Sequence, residues 1–185
     1  MNESYEMLLK RRSIRAYRPD PIPDDVLDRI LLAGKYAPSA MGLQNRHFSV
    51  VLNRTLMNEI VAAAEGNRAA FAPGHVPFYG APAVVVLSAP KDFRHGREDC
   101  ACAIENIALA AYALGLGSCY ICSVLPGLRD ASVEAKLDLP DNYEPYGCIC
   151  VGYPLGAAPE PKRRCADDVS VLRCIKKTGR AASPP

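Results

Sequence analysis

The chain has no tryptophan, and aromatic residues make up only 7% of it, so aliphatic side chains must supply most of any core. It has few histidines: His47, His75 and His95 are scattered, and none has metal-ligand spacing. No apolar run approaches the roughly 20 residues that cross a bilayer, which argues against a spanning helix. A one-sided charge is missing too. The formal net charge is +2, too weak a bias to argue for a nucleic-acid partner. There is no G-x-S-x-G, which disfavours a serine hydrolase of the elbow type. There is no Walker A motif and no G-x-G-x-x-G following a strand. Gly115-Leu116-Gly117 follows a helical segment instead and reads as a helix stop. No nucleophile or acid–base pair stands out. If the protein is an enzyme, a cofactor carries the hard chemistry.

What is present is globular. The 185 residues are 49% apolar, enough for one compact domain with a sizeable core. The N-terminus, Met1-Asn2-Glu3-Ser4-Tyr5-Glu6, is acidic and helical rather than a secretory signal, so a cytoplasmic location is expected. Periodicity predicts helices over 4–11, from Pro23 through the stripe Val26, Leu27, Ile30 and Leu31, over 56–65, over 97–114 and over 128–137. Strands are expected at 48–52, 83–87, 118–123 and 146–151. The irregular stretch 66–82, with Gly74, Pro77, Gly80 and Pro82, is either a site wall or a plain connector. The organisation is one α+β or α/β layered domain over 1–174, with helices covering about four strands. Residues 175–185 read as a solvated tail.

Eight cysteines occur, at 100, 102, 119, 122, 148, 150, 165 and 174. Without an export signal a disulfide scaffold is not expected. Two readings stay open: a metal or iron–sulfur site, or small apolar residues in a core. Within each C-x-C pair the two sulfurs can share a face, whereas Cys119 and Cys122 should point opposite ways.

Basic residues gather at the two ends. Residues 1–18 carry five basic and two acidic side chains, a balance of +3. Residues 162–185 carry seven and two, a balance of +5, and the stretch between balances at −6. If folding brings the ends together, they make a site for a small, strongly anionic group such as a phosphate.

Four segments, in order, carry a family resemblance. Lys10-Arg-Arg-Ser-Ile-Arg-Ala-Tyr17 matches an R-R-S box. Ala37-Pro-Ser-Ala-Met-Gly-Leu-Gln44 resembles an A-P-S-A-x-N-x-Q segment. Ala113-Leu-Gly-Leu-Gly-Ser-Cys-Tyr-Ile121 resembles an A-L-G-L-G-S-C-W-I turn and strand. Gly152-Tyr-Pro154 followed by Pro161-Lys-Arg-Arg164 matches a G-Y-P…K-x-R element. Together, across 5–165, they resemble the FMN-dependent nitroreductase family.

The resemblance implies a central, mainly antiparallel sheet flanked by helices and an interlocked homodimer with FMN at the interface. By position, Arg11, Arg12 and Ser13 would hold the phosphate and ribityl chain, and Lys162 and Arg164 would complete the phosphate cage. Arg15 would face the pyrimidine side of the ring. Pro38, Ser39, Ala40, Met41 and Gln44 would come from the partner subunit. Tyr120, Ile121, Cys122 and Ser123 would run beside the ring. The implied activity is transfer of a hydride from NAD(P)H to FMN, then of two electrons to a small acceptor such as a nitroaromatic or quinone, with no catalytic side chain required. The same scaffold also allows a flavin-binding or flavin-modifying protein without reductase activity. A cysteine-based metal or thiol protein is the third reading. Three departures stand out. Gly42 replaces a common Asn; Asn45-Arg46 replaces the usual Pro-Trp, which removes an aromatic wall near the site and adds charge; and Cys122 stands where Gly or Glu is common, as a space-filler or a redox-active thiol.

Overall fold

A computed structural model describes residues 2–67, 71, 72, 74–165 and 168–171. The 175–185 tail and Cys174 lie outside the described residues. The chain order is α1 (Glu3–Lys10), α2 (Asp24–Lys35), a single tight turn (Ala40–Gly42), β1 (His47–Val51), α3 (Arg54–Gly66), β2 (Ala83–Pro90), α4 (Gly96–Ala113), β3 (Gly117–Ile121), α5 (Leu125–Leu128), α6 (Ala131–Glu134) and β4 (Tyr143–Gly152). The four strands form one sheet in the order β1-β2-β4-β3, antiparallel throughout.

The sheet divides the core in two because strand side chains alternate faces. From β2, Val84 and Val86 join Met57 and Ile60 of α3 and Leu128 of α5 on one face. Ala83, Val85 and Leu87 join Ile30 of α2 and Ile104 and Ile107 of α4 on the other. This two-sided burial explains why β2 reads as a continuous apolar run rather than an alternating one.

The sequence placed every strand. Its errors have local causes. The helix expected over 128–137 shrinks to α6, Ala131–Glu134, because α5 ends at Leu128 and the Asp130 carboxylate accepts the Ser132 N–H to start a new helix. Pro23 precedes α2 as its cap, in extended backbone, instead of lying within the first turn. β3 stops at Ile121, so Cys122 and Ser123 lie in the following turn. β4 begins at Tyr143, earlier than expected, because a bulge at Tyr146 of β4, opposite Leu87 and Ser88 of β2, lets the ladder continue through Pro145.

The cysteines separate by face. Cys148 and Cys150, two apart on β4, enter the same core cluster as Cys119 of β3. Cys119 is buried and Cys122 exposed, so they do point opposite ways. Cys100 and Cys102 do not share a face: residues two apart on a helix are about 200° apart, and only Cys100 is buried. Among the described residues, no three His, Cys, Asp or Glu side chains come together in a way that could hold a metal ion. Burial pushes the Cys100 thiol up to about 12, and the thiols of Cys148 and Cys150 are raised by the same cause. These buried thiols stay protonated and inert at neutral pH.

Candidate functional site

The N-terminal basic box is tied to the sheet edge. After α1 the chain turns extended, and Ser13 makes a parallel bridge to Ser118 of β3. The Ile14 N–H donates to the Ser118 carbonyl at 2.9 Å. Ile14 is buried, and its side chain fills the space above Gly117. A Cβ at Gly117 would lie 2.6 Å from Ile14 Cγ1. Gly117 is therefore more than part of a helix stop: it lets the box approach β3. Gly115, with φ +76°, does the stopping. The Tyr17 hydroxyl donates to the Ile14 carbonyl at 2.8 Å and locks the turn from inside.

This anchoring sets the arginines. Arg11 is half-buried, with Nε 3.3 Å from Glu105 Oε1 on α4. Arg12 Nη1 donates to the Leu9 carbonyl at 2.6 Å and the Arg11 carbonyl at 2.7 Å, capping the end of α1. That capping role was not read from the sequence. The Nε atoms of both arginines are buried without a hydrogen-bond partner. Buried cationic donors without a hydrogen bond are costly unless an acceptor meets them; Arg11 has only its ion pair to Glu105, and a phosphate is an acceptor that can meet both. Arg15 is exposed, with its guanidinium 6.0 Å from the Tyr79 ring centre. Burial raises the Cys119 thiol, against the pull of Arg15 and then of Ser13.

The chain returns to this box at Pro154 and Leu155. Tyr17 bridges Pro154, and the Leu155 N–H donates to the Ala16 carbonyl at 2.9 Å. Ser13, Ile14, Arg15 and Ala16 face Pro154, Leu155, Ala157 and Pro159 across a cleft of about 360 Å³. Lys162 and Arg164 follow on exposed, irregular backbone. Among the described ion pairs, neither joins the box.

On the neighbouring strand, Tyr120 is partly exposed and its ring covers Gly147, whose Cβ position lies 2.8 Å from the ring. Burial pushes the Tyr120 hydroxyl up to about 12. Ile121 is buried, while Cys122 and Ser123 are exposed.

The remaining expected residues form a separate region. Pro38, Ser39, Ala40, Met41 and Gln44 lie on the loop after α2; Pro38, Ser39 and Gln44 line a larger cleft of about 700 Å³ with Leu32, Lys35 and Tyr36. Among the described hydrogen bonds, none joins this loop to the arginine box of the same chain. The loop holds three residues in left-handed backbone, Met41, Gly42 and Gln44.

The site is thus a basic, partly buried box clamped to the edge of a helix-flanked antiparallel sheet in an α+β protein. The sequence model of the nitroreductase family matches residues 8–153, most of the chain. The chain belongs to the nitroreductase family, an oxidoreductase family. A nitroreductase with bound FMN from Bacteroides fragilis superposes with a TM-score of 0.84, is 35% identical, and covers 94% of this chain and all of its own. A nitroreductase with bound FMN from Desulfitobacterium hafniense also reaches 0.84, at 26% identity and the same coverage. A Vibrio harveyi NADPH-flavin oxidoreductase is 32% identical over 183 residues, 92% of this chain and 73% of its own.

Proposed function

We propose that the protein is an FMN-dependent oxidoreductase that works as a homodimer. Bound FMN would supply the redox chemistry, accepting a hydride from NAD(P)H at N5 and passing two electrons to a small acceptor such as a nitroaromatic or quinone, in ping-pong fashion. The observation that carries the reading is the anchored box: two half-buried arginines whose buried Nε donors lack a hydrogen-bond partner, Arg11 offset only by its ion pair to the exposed Glu105, held beside an open cleft.

Each residue has a task in this reading. Arg11 and Arg12 present planar forks to the phosphate. Ser13 is fixed by its bridge to β3 and hydrogen-bonds the ribityl chain. Lys162 and Arg164 close the phosphate cage from the returning segment. Arg15 brings positive charge to the pyrimidine side, where reduction builds negative charge. Tyr120, Ile121, Cys122 and Ser123 flank the ring. Pro38, Ser39, Ala40, Met41 and Gln44 cover it from the partner.

The dimer has its own support. Tyr5, Leu8 and Leu9 on α1, Leu32 and Tyr36 near the end of α2, and Met41 and Leu43 are exposed large apolar residues, with Tyr36 81% and Met41 79% accessible. So much exposed apolar surface calls for a partner, and a second copy places each loop beside the other chain's box. No helix among the described residues is long and apolar enough to cross a membrane.

The test is spectroscopic. The protein purified with FMN should show a bound-flavin spectrum that bleaches on anaerobic mixing with NADH or NADPH and recovers on adding a quinone. A protein that takes up no FMN defeats the proposal. One that holds FMN and bleaches with neither donor is a flavin-binding or flavin-modifying protein instead.

A further inference from the structure

Arg46 stands where the resemblance leads one to expect tryptophan, and it does more than add charge. Its guanidinium donates to four backbone carbonyls: Pro38 and Ala37 at 3.0 Å, Lys35 at 3.3 Å and Asp99 at 3.4 Å. Three belong to the end of α2 and the loop that follows, and the fourth to the first turns of α4. One side chain thereby joins the 37–44 loop to the helix core. The planar fork makes this possible, since its donors diverge in fixed directions.

Asp99 completes the junction. It is only 4% exposed, and its Oδ1 accepts the Ala40 N–H at 2.9 Å. Within the loop, Ser39 Oγ accepts the Gln44 N–H at 3.0 Å. These anchors hold Met41, Gly42 and Gln44 at φ +54°, +67° and +55°. Met41 and Gln44 carry side chains that disfavour that region, so the conformation persists only where its surroundings impose it. A buried carboxylate and a half-buried guanidinium, both hydrogen-bonded to the backbone of this loop, are such surroundings. The outward side of the loop stays free: Met41 and Gln44 are exposed.

We propose that Arg46 and Asp99 are positioning residues for the flavin site across the dimer interface: they set the shape of the 37–44 loop, which covers the FMN held by the other subunit's arginine box. The inference rests on the FMN-binding dimer proposed above. Neither side chain touches the flavin. Each acts through the backbone it holds.

The clamp works in trans, and mixed dimers test this with FMN affinity and stoichiometry as the readout. Arg46→Met should weaken FMN binding at least about tenfold, since several hydrogen bonds to a charged group are lost together. Asp99→Ala should do the same, while Asp99→Asn, which keeps an oxygen for the Ala40 N–H, should stay within about threefold. The Asp99 pair carries the test if Arg46→Met fails to fold. An Arg46→Met or Asp99→Ala chain is then paired, by differential tags, with an Arg11→Ala/Arg12→Ala chain. In that mixed dimer one site has both an intact box and an intact loop, and the other has neither. It should bind one FMN per dimer with wild-type affinity, although both parent homodimers bind weakly. Clamp variants that bind FMN like the wild type overturn the inference. So does a mixed dimer with no tight site, because the defect then acts within its own subunit. A wild-type protein that binds no FMN overturns the underlying reading and this inference with it.

Discussion

The two basic segments carry similar charge but differ in how they are held. The 11–15 box is built into the fold. Ser13 bridges β3, Ile14 is buried over Gly117, and the Tyr17 hydroxyl caps the Ile14 carbonyl. The 162–164 segment hangs from the last described tie, the hydrogen bond of Leu155 to Ala16. Beyond it, residues 157–165 are exposed throughout. Ordering a side chain costs entropy that a preorganised donor has already spent in folding. A phosphate meeting the box gains most of each new hydrogen bond. A phosphate meeting the returning segment must also order that segment. The difference suggests a division between an anchor and a closing arm.

The largest effect should come from loosening the anchor itself. Gly117→Val places a branched side chain where Ile14 sits, starting from a Cβ 2.6 Å from Ile14 Cγ1. Overpacking of this kind costs about 1–3 kcal/mol, so the denaturation midpoint should fall and FMN affinity should fall with it. A variant that keeps both would show that the box is not positioned by Gly117. Next come the anchoring donors. Arg11→Ala and Arg12→Ala should each weaken FMN binding about ten- to a hundredfold by fluorescence titration, as for hydrogen bonds to charged groups. Lys162→Ala and Arg164→Ala should each cost less, below about tenfold, because their gain is offset by ordering. Their contribution should also fade sooner with added salt, since exposed charges are screened more than half-buried ones. Equal losses at both ends would erase the distinction between anchor and arm.

Much of this was legible in the sequence because it depends on local pattern. The apolar run of β2 and the helical stripe of α4 announced a buried strand and its cover. The charge pattern left open whether the two ends meet; the chain returns to the box through the Tyr17–Pro154 bridge, while Lys162 and Arg164 make no described ion pair with it. What escaped depends on tertiary approach. Arg46 read only as added charge, because its role needs the end of α2 and the start of α4 to bring four carbonyls together. The loop residues are a different case: the resemblance assigns them to the partner subunit, and within a single chain they do lie apart from the box. The break after Leu128 escaped because the capping of Asp130 competes with an otherwise helical pattern.

The smallest effect has the opposite sign, and that makes it the sharper probe. Among the described ion pairs of the two basic segments, the box alone has an acidic partner: Glu105 Oε1 of α4 lies 3.3 Å from Arg11 Nε, with its side chain 54% exposed. An exposed pair of this kind contributes about 0.2–1 kcal/mol, so removing it hardly touches the fold. Its effect on an arriving phosphate is less neutral. The carboxylate repels the phosphate and occupies one side of the guanidinium that should receive it. Glu105→Gln removes the repulsion and leaves Arg11 seated by its neighbours in the box. FMN should then bind about two- to fivefold more tightly, the fold-change matching the pair's own energy. High salt should shrink the gain. If Glu105→Gln weakens binding instead, the carboxylate holds Arg11 in place, and the box would owe its order to an exposed ion pair as well as to the sheet beneath it.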